Sequence, residues 1–261
     1  MITRKHLFQP FVLTAGLILA AAPLFAQTPD IHVLGVSRLT PTNDAAWRSP
    51  DGKLMDTPPK ADERFDKLHI TPAATEQGVR LLIEIKHAPK ERSCSVKIDG
   101  ATGIAWTSFS QPDDTRLYAV EANLPANVQS ADVHVGVSIA EWRDAAEKPS
   151  GAGAVVGAIY GPDSKPKTIE VIFSDFSQFG PVLGLSVATA LNADQDTRIV
   201  GIDSQGAVVD AQMQNDQSVN TIEQRTVTFP GKTAGDITSV KLQARPYEWR
   251  DFKGVKLPPV K

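Results

Sequence analysis

The chain has 261 residues, of which 41% are hydrophobic and 22% charged, so it carries enough apolar mass for one or two packed cores and is not a disordered chain. Its 18 glycines and 19 prolines are too few for a collagen-like or low-complexity architecture. The 27 Lys and Arg residues are balanced by 30 Asp and Glu and form no basic run. Nucleic acids and anionic lipid surfaces both require clustered positive charge, so neither is expected as a partner.

The N-terminus has the pattern of a secretory signal peptide. Basic Arg4 and Lys5 precede an apolar run over Phe11–Ala22, and a small residue, Ala26, follows. The run is shorter than the roughly 20 residues of a spanning helix. We therefore expect a signal peptide over residues 1–26, with an uncleaved anchor as the alternative. The protein is then periplasmic or secreted, with no membrane insertion after cleavage.

Period-two alternation of apolar and polar residues dominates the rest of the chain and predicts antiparallel β-sheet. It is clearest in Asp132–Ile139, where the odd positions are all aliphatic. The single cysteine, Cys94, cannot form an internal disulfide, and its strand setting predicts a buried structural thiol. The predicted strands are Ile31–Leu39, Val79–His87, Ser93–Ile98, Leu117–Ala122, Asp132–Ile139, Thr168–Phe173, Leu183–Ala188, Arg198–Asp203, Ala207–Gln212, Glu223–Phe229 and Ile237–Arg245.

Two irregular stretches interrupt the predicted strands. Residues 40–66 hold four prolines and many charges, which indicates a long surface loop, and we expect Trp47 to attach it to a core. Residues 151–167 are rich in Gly, Pro and Ser, which indicates a linker or a long crossing. The fold prediction is therefore all-β: an N-terminal β-sandwich over 27–150 and a C-terminal one over 168–261, each Ig-like or jelly-roll-like.

A tetrapeptide that contains a tryptophan occurs twice in the sequence. The tetrapeptide Glu141–Asp144 recurs as Glu248–Asp251, each copy following an alternating strand. Two interpretations of Trp142 and Trp249 remain open. Each ring is either a plug that covers a sheet edge beside an Arg, or an exposed platform that stacks on a sugar or peptide.

Common catalytic signatures are not found. The sequence contains no G-x-S-x-G, H-E-x-x-H, C-x-x-C or nucleotide-binding glycine motif, so we expect no cofactor and no zinc chemistry. His32 and His134 fall on the polar phase of their strands, where solvated histidines are expected. A glycosidase needs only two carboxylates that the fold brings together, and Glu141 with Glu248 is one such pair.

One segment has oxygen ligands at calcium-type spacing. Asn192, Asp194 and Asp196 occupy the first, third and fifth positions of such a loop, and Asp203 the twelfth. Thr197 stands where the sharp turn favours Gly, and strands flank the segment instead of helices. A polar loop between strands is the alternative.

Three stretches resemble β-rich extracytoplasmic modules of environmental bacteria. They are Val33–Ser37 with Trp47–Gly52, Gly136–Trp142 (GVSIAEW) and Leu242–Val255 (LQARPYEWRDFKGV). Modules of that family stand alone behind a signal peptide or are fused to BlaR/MecR-type metallopeptidase sensors and sigma-factor-like regulators. This chain has one Trp at Trp47 where the family often shows two, and it carries no peptidase or sigma-factor portion. The resemblance implies a stand-alone sensory or interaction module.

The functional hypothesis is a non-catalytic exported protein that binds an envelope protein or a glycan. Its candidate binding residues are Trp47, Arg245, Tyr247 and Trp249, because exposed aromatic and guanidinium groups are good anchors. The alternatives are an exported glycan-active hydrolase with paired carboxylates and a purely structural envelope component.

Overall fold

The computed structural model describes residues 29–40, 46–57, 59, 68, 70–87, 93–111, 114–138, 140–149, 152–160, 165–190, 194–219 and 222–259. In these ranges the chain is almost entirely antiparallel strand, which confirms the predicted all-β, sandwich-like fold. One turn of 3-10 helix spans Ala234–Asp236. No helix in the described ranges is long and apolar enough to cross a membrane. The predicted signal peptide lies outside the described residues.

The described residues form sixteen strands. They are β1 Asp30–Arg38, β2 Glu76–Lys86, β3 Cys94–Ile98, β4 Gly103–Ser110, β5 Arg116–Pro125, β6 Ser130–Ser138, β7 Arg143–Pro149, β8 Gly153–Tyr160, β9 Pro166–Phe173, β10 Ser177–Phe179, β11 Val182–Ala190, β12 Gln195–Ile202, β13 Val208–Asp210, β14 Gln212–Val219, β15 Ile222–Pro230 and β16 Ser239–Lys256.

The first sandwich encloses one hydrophobic core. A sheet in the order β1-β2-β5-β4 covers one side, and β3, β6 and the C-terminal part of β16 cover the other. The aliphatic side of the alternation faces inwards, as Val133 and Val135 of β6 show, and these residues pack with Leu81, Ile83 and Val120 of the opposite sheet. Cys94 is buried in the same core, as its strand setting predicts.

The second sandwich has its own core. One sheet runs in the order β14-β15-β11-β9-β8, with β10 paired to β11, and the other contains β13, β12, the N-terminal part of β16 and β7. Phe173 and Phe229 are its largest buried side chains, and Val240 and Leu242 of β16 pack in the same cluster.

Strand β16 belongs to both sandwiches. It is 18 residues long, against about 5–6 for an average strand. Over Ser239–Pro246 it pairs with β12, and over Tyr247–Lys256 it pairs with β6. Strand β7 continues the line of β6 along the same side of β16, because Ser138 lies opposite Tyr247 and Arg143 lies opposite Ala244.

The two cores do not follow the predicted boundaries. The segment 151–167, interpreted as a linker, contains strand β8, and β7 and β8 both contribute to the second core. The C-terminal part of β16 contributes to the first. Small residues explain the difference: a Cβ on Gly157 would lie 2.2 Å from the Ala145 carbonyl oxygen, so a Gly-rich strand is what lets β8 approach β7.

Candidate functional site at the junction of the two sandwiches

The Trp142 ring stacks on two guanidinium groups. The Cζ atom of Arg245 lies 3.9 Å from the ring centroid and that of Arg198 lies 4.6 Å from it. Trp142 ends the described stretch 140–142, which precedes β7 and lies opposite Arg245 and Pro246. The half-buried ring therefore covers the point where β16 passes from one sandwich to the other.

Arg245 is buried and ion-paired. Its Nε and Nη2 atoms lie 2.8 and 2.7 Å from Asp196 Oδ2, and both residues are less than one-tenth exposed. A guanidinium held in this way links β16 to β12 and is not free to anchor an outside partner. The prediction that Arg245 is an exposed binding residue is therefore wrong in this respect, because the Trp142 ring lies on it.

Trp249 has a similar environment. Its ring lies against Gly136, where an added Cβ would be 3.0 Å from Cε3, and it meets the Tyr247 ring at a centroid distance of 5.6 Å. The Lys97 ammonium sits 4.1 Å from the Trp249 centroid and forms a 2.7 Å ion pair with Asp194. Each tryptophan of the repeat thus faces a cation that is paired with an aspartate at the start of β12. Both rings are half-buried, as expected for plugs.

Trp47 lies in a different place. It packs with Leu82, Phe109 and Ala119 on the outer side of the four-stranded sheet, and its ring approaches Gly35. The part of the predicted loop that the structure describes is held there by bridges from Arg48 to Val36 and to Leu54. The described contacts do not place Trp47 beside Trp249, so the expected grouping of these two residues is not found.

A small cavity lies beside Tyr247 at the junction. Its volume is about 150 Å³, a size at which an engineered cavity accepts a benzene-sized molecule. Hydrocarbon comes from both sheets of the second sandwich, including Ile159, Ile169 and Leu242, and Ser95 reaches it from the first. The polar side chains that line it are Ser95, Thr189, Gln195, Thr197, Glu223, Arg225 and Tyr247.

Gln195 brings an unpartnered oxygen to this cavity. Its Nε2 atom donates a 2.6 Å hydrogen bond to the Tyr160 carbonyl, which assigns the orientation of the amide. Its Oε1 atom is buried and accepts no hydrogen bond from the residues that the structure describes. Leaving a buried acceptor unsatisfied costs about 1–3 kcal/mol.

Glu223 and Arg225 form a buried pair on the cavity wall. Arg225 Nε donates to Glu223 Oε1 at 2.7 Å, and its Nη1 donates to Thr197 Oγ1 at 2.6 Å. Burial, assisted by nearby Asp216, raises the pKa of Glu223 above its ordinary value even though Arg225 acts in the opposite direction. Burial also raises the pKa of Tyr247, so its hydroxyl stays protonated. Glu223 thus brings to the cavity wall an acidic group that Arg225 already pairs with.

The described residues of the calcium candidate do not come together in one loop. The Asp196 carboxylate is bonded to Arg245, and Asp194 is bonded to Lys97. Asp203 lies beyond the far end of β12, where its carboxylate accepts from the Gln205 and Ala207 amides. Eight strand residues separate it from Asp194 by about 25 Å, too far for one ion. Asn192 lies outside the described residues, and the described part of the chain holds no cluster of three or more metal-ligating side chains.

The proposed carboxylate pair is not gathered in one cavity. Both glutamates are exposed. Glu248 lines an open groove of about 380 Å³ with Pro29, Trp249 and Arg250, and Glu141 does not line that groove.

His134 has partners that its solvated setting did not predict. Its Nδ1 atom lies 2.8 Å from Asp251 Oδ1 and its Nε2 atom 3.3 Å from Asp99 Oδ1. Hydrogen bonding to Asp251, and then to Asp99, raises its pKa. This cluster lies near Lys97 and Trp249 on β3, β6 and β16, because His134 pairs with both Lys97 and Asp251 in register.

No family model matches the chain, and no curated protein sequence matches it. The resemblance to exported β-rich modules thus stays a prediction.

Proposed function

We propose that this chain is a non-catalytic binding module of the bacterial envelope and that its ligand enters the cavity at the junction of the two sandwiches. The ligand is a small amine or amidine: an apolar body of a few carbon atoms with a cationic N–H donor. The observation that carries the proposal is the cavity itself, whose wall combines the acidic Glu223 and the Gln195 side chain with hydrocarbon.

The chemistry of the wall supports this ligand class. Glu223 supplies an acceptor and negative charge, and the Gln195 side chain lies beside the same space. Ile159, Ile169 and Leu242 cover the hydrocarbon part. Hydrogen bonds between charged groups contribute about 1.5–3 kcal/mol, which corresponds to about a tenfold to hundredfold change in affinity.

The location supports a sensory role. The cavity receives Tyr247 from the strand shared by both sandwiches and Ser95 from the first sandwich. A ligand at this point contacts elements of both units. Its binding energy can therefore act on the junction, which suits a module that reports the presence of a small molecule.

The test is an NMR titration of the ¹⁵N-labelled protein with three matched probes: propylammonium, propan-1-ol and propionate. We expect saturable shifts of the Gln195, Thr197 and Glu223 amides with propylammonium, weaker shifts with propan-1-ol and none with propionate. Glu223→Gln removes the charge and should weaken propylammonium binding about tenfold or more. Gln195→Leu should weaken both propylammonium and propan-1-ol.

Asp51→Asn is the control for loss of a surface carboxylate, because Asp51 is exposed and paired with Lys53 on the loop that carries Trp47. It should leave all three titrations unchanged. Propylammonium shifts that are absent, or that persist in both cavity variants, would contradict the proposal.

A further inference from the structure

Strand β4 forms one edge of the first sandwich and carries no charge. It is the last strand in the order β1-β2-β5-β4, and in the described residues its outer edge pairs with no other strand. Its eight residues, GIAWTSFS, contain no Asp, Glu, Lys, Arg or Pro. An exposed, uncharged edge of this length offers its N–H and C=O groups to another strand.

The other described edges carry protection that β4 lacks. Strand β1 has Asp30 and Arg38 and an irregular register, and β14 has Asp216 and an irregular register. Strand β3 has five residues and includes Lys97, and β13 has three. Charges, irregularities and short length all discourage pairing between edges. Strand β8 is also an uncharged edge, and it differs from β4 in that β7 packs against one of its faces at Gly157.

Two large apolar side chains are exposed on β4. Ile104 is 36% exposed and Trp106 is 46% exposed. They lie opposite Ala122 and Val120 in register, and both of those residues belong to the first core. These side chains are exposed because the four-stranded sheet packs against only three strands, β3, β6 and β16. Its edge strand β4 is therefore left uncovered. Trp106 is covered in part by Tyr118, at a centroid distance of 5.9 Å.

We propose that β4 pairs antiparallel with β4 of a second copy of this chain. With the two-fold axis at Ala105, Ile104 of one copy lies directly opposite Trp106 of the other, and the same pair recurs by symmetry. Antiparallel pairs of aromatic and β-branched residues are favourable, and a two-fold interface requires this self-complementarity. Because β4 carries no charged side chain, pairing with a second β4 brings no like charges together. The two four-stranded sheets become one sheet of eight strands.

A cysteine scan of the full chain tests the register. Ala105→Cys places two thiols opposite each other across the axis, within the Cα separation that a disulfide bridges. Ser108→Cys is the matched control, because this register places it opposite residue 102 and not opposite itself. Cys94 is buried and does not compete. We expect Ala105→Cys to form a covalent dimer under mild oxidation and Ser108→Cys to remain largely monomeric.

Sedimentation equilibrium tests the association itself. The unmodified chain should be a dimer that dissociates on dilution, and Trp106→Lys should weaken it at least about tenfold, because it introduces a charge at an uncharged edge. Val156→Lys introduces the same charge at a 76% exposed position on β8 and should leave the dimer unchanged. A monomer at all concentrations, a dimer insensitive to Trp106→Lys, or preferential crosslinking through Ser108→Cys would each overturn the proposal.

Discussion

The Arg245 guanidinium and the Asp196 carboxylate form a buried ion pair that joins β16 to β12 where β16 leaves one sandwich and enters the other. The Trp142 ring lies on this pair, 3.9 Å from the guanidinium carbon. The junction is therefore held by charge and aromatic packing, whereas the cores on either side are hydrocarbon.

Replacing Arg245 should destabilise the protein strongly. Arg245→Met leaves the Asp196 carboxylate buried without its partner, which costs about 3–5 kcal/mol. The double variant Arg245→Met/Asp196→Leu should recover much of that loss. Urea unfolding measures both.

Arg198→Met is the control for this change, because Arg198 also stacks on Trp142 but pairs at 3.6 Å with an exposed Asp210. Loss of the Arg198–Asp210 ion pair should lower the free energy of unfolding by less than about 1 kcal/mol. Equal losses for the two arginines would show that the buried pair has no special role.

Gly136→Ala should destabilise the first sandwich. The added Cβ would lie 3.0 Å from both Trp249 Cε3 and Tyr247 Cβ, and overpacking of this kind costs about 1–3 kcal/mol. The cost should fall in a Trp249→Ala background without vanishing, because Tyr247 remains. Gly103→Ala is the control, since its nearest heavy atom would be 3.9 Å away. Thermal unfolding that ranks Gly103→Ala as the more damaging change would refute the packing.

The His134 cluster should make stability depend on pH. Hydrogen bonds to Asp251 and Asp99 raise the pKa of His134 in the folded state. Its stabilising contribution is therefore complete below the pKa of the unfolded chain and is lost as pH rises through the higher folded value. Comparing the unmodified protein with His134→Gln by urea unfolding should show the largest difference in acid and the smallest above the folded pKa. A difference that grows with pH would contradict this assignment.

Cys94 should be unreactive until its sandwich opens. Burial raises its pKa to about 12, and the thiolate is the reactive form. In native buffer a thiol reagent should react slowly with Cys94, and in denaturant it should modify one thiol per chain. Ser110→Cys supplies an exposed thiol for comparison, because Ser110 is exposed on β4. Rapid native reaction of Cys94 at a rate like that of Ser110→Cys would show that the first core is open.

Alternation predicted much of the sheet but not the length of β16. The predicted strand ends at Arg245, because Pro246 and the charged tetrapeptide after it resemble a strand end. The strand continues to Lys256. Pro246 is tolerated because it lies between the parts of β16 that pair with β6 and with β7, where no described residue pairs with it on that side.

Strands made of small residues were missed for a related reason. Strand β8 has a linker-like composition, and Gly157 is selected by contact with β7, which local sequence does not reveal. Strand β4 alternates weakly because one of its faces is only partly covered.

Little of the candidate site could be predicted. The sequence indicates Arg245 and Tyr247 as binding residues, but as exposed anchors. Gln195 lies on β12, whereas Glu223 and Arg225 lie on β15, and none of them belongs to a motif. They meet only through the pairing of β12 with β16 and the packing of β15 against them. Whether the two atoms of the Gln195 amide find hydrogen-bond partners depends on the fold and cannot be predicted from local sequence.

The most direct test of the account is a crystal of the protein soaked with 3-bromopropylammonium and measured for anomalous scattering from bromine. We expect one bromine peak in the junction cavity, with the ammonium within hydrogen-bond distance of the Glu223 carboxylate. A peak in the groove beside Pro29 and Trp249 instead, or an empty cavity at concentrations that saturate the NMR titration, would contradict it.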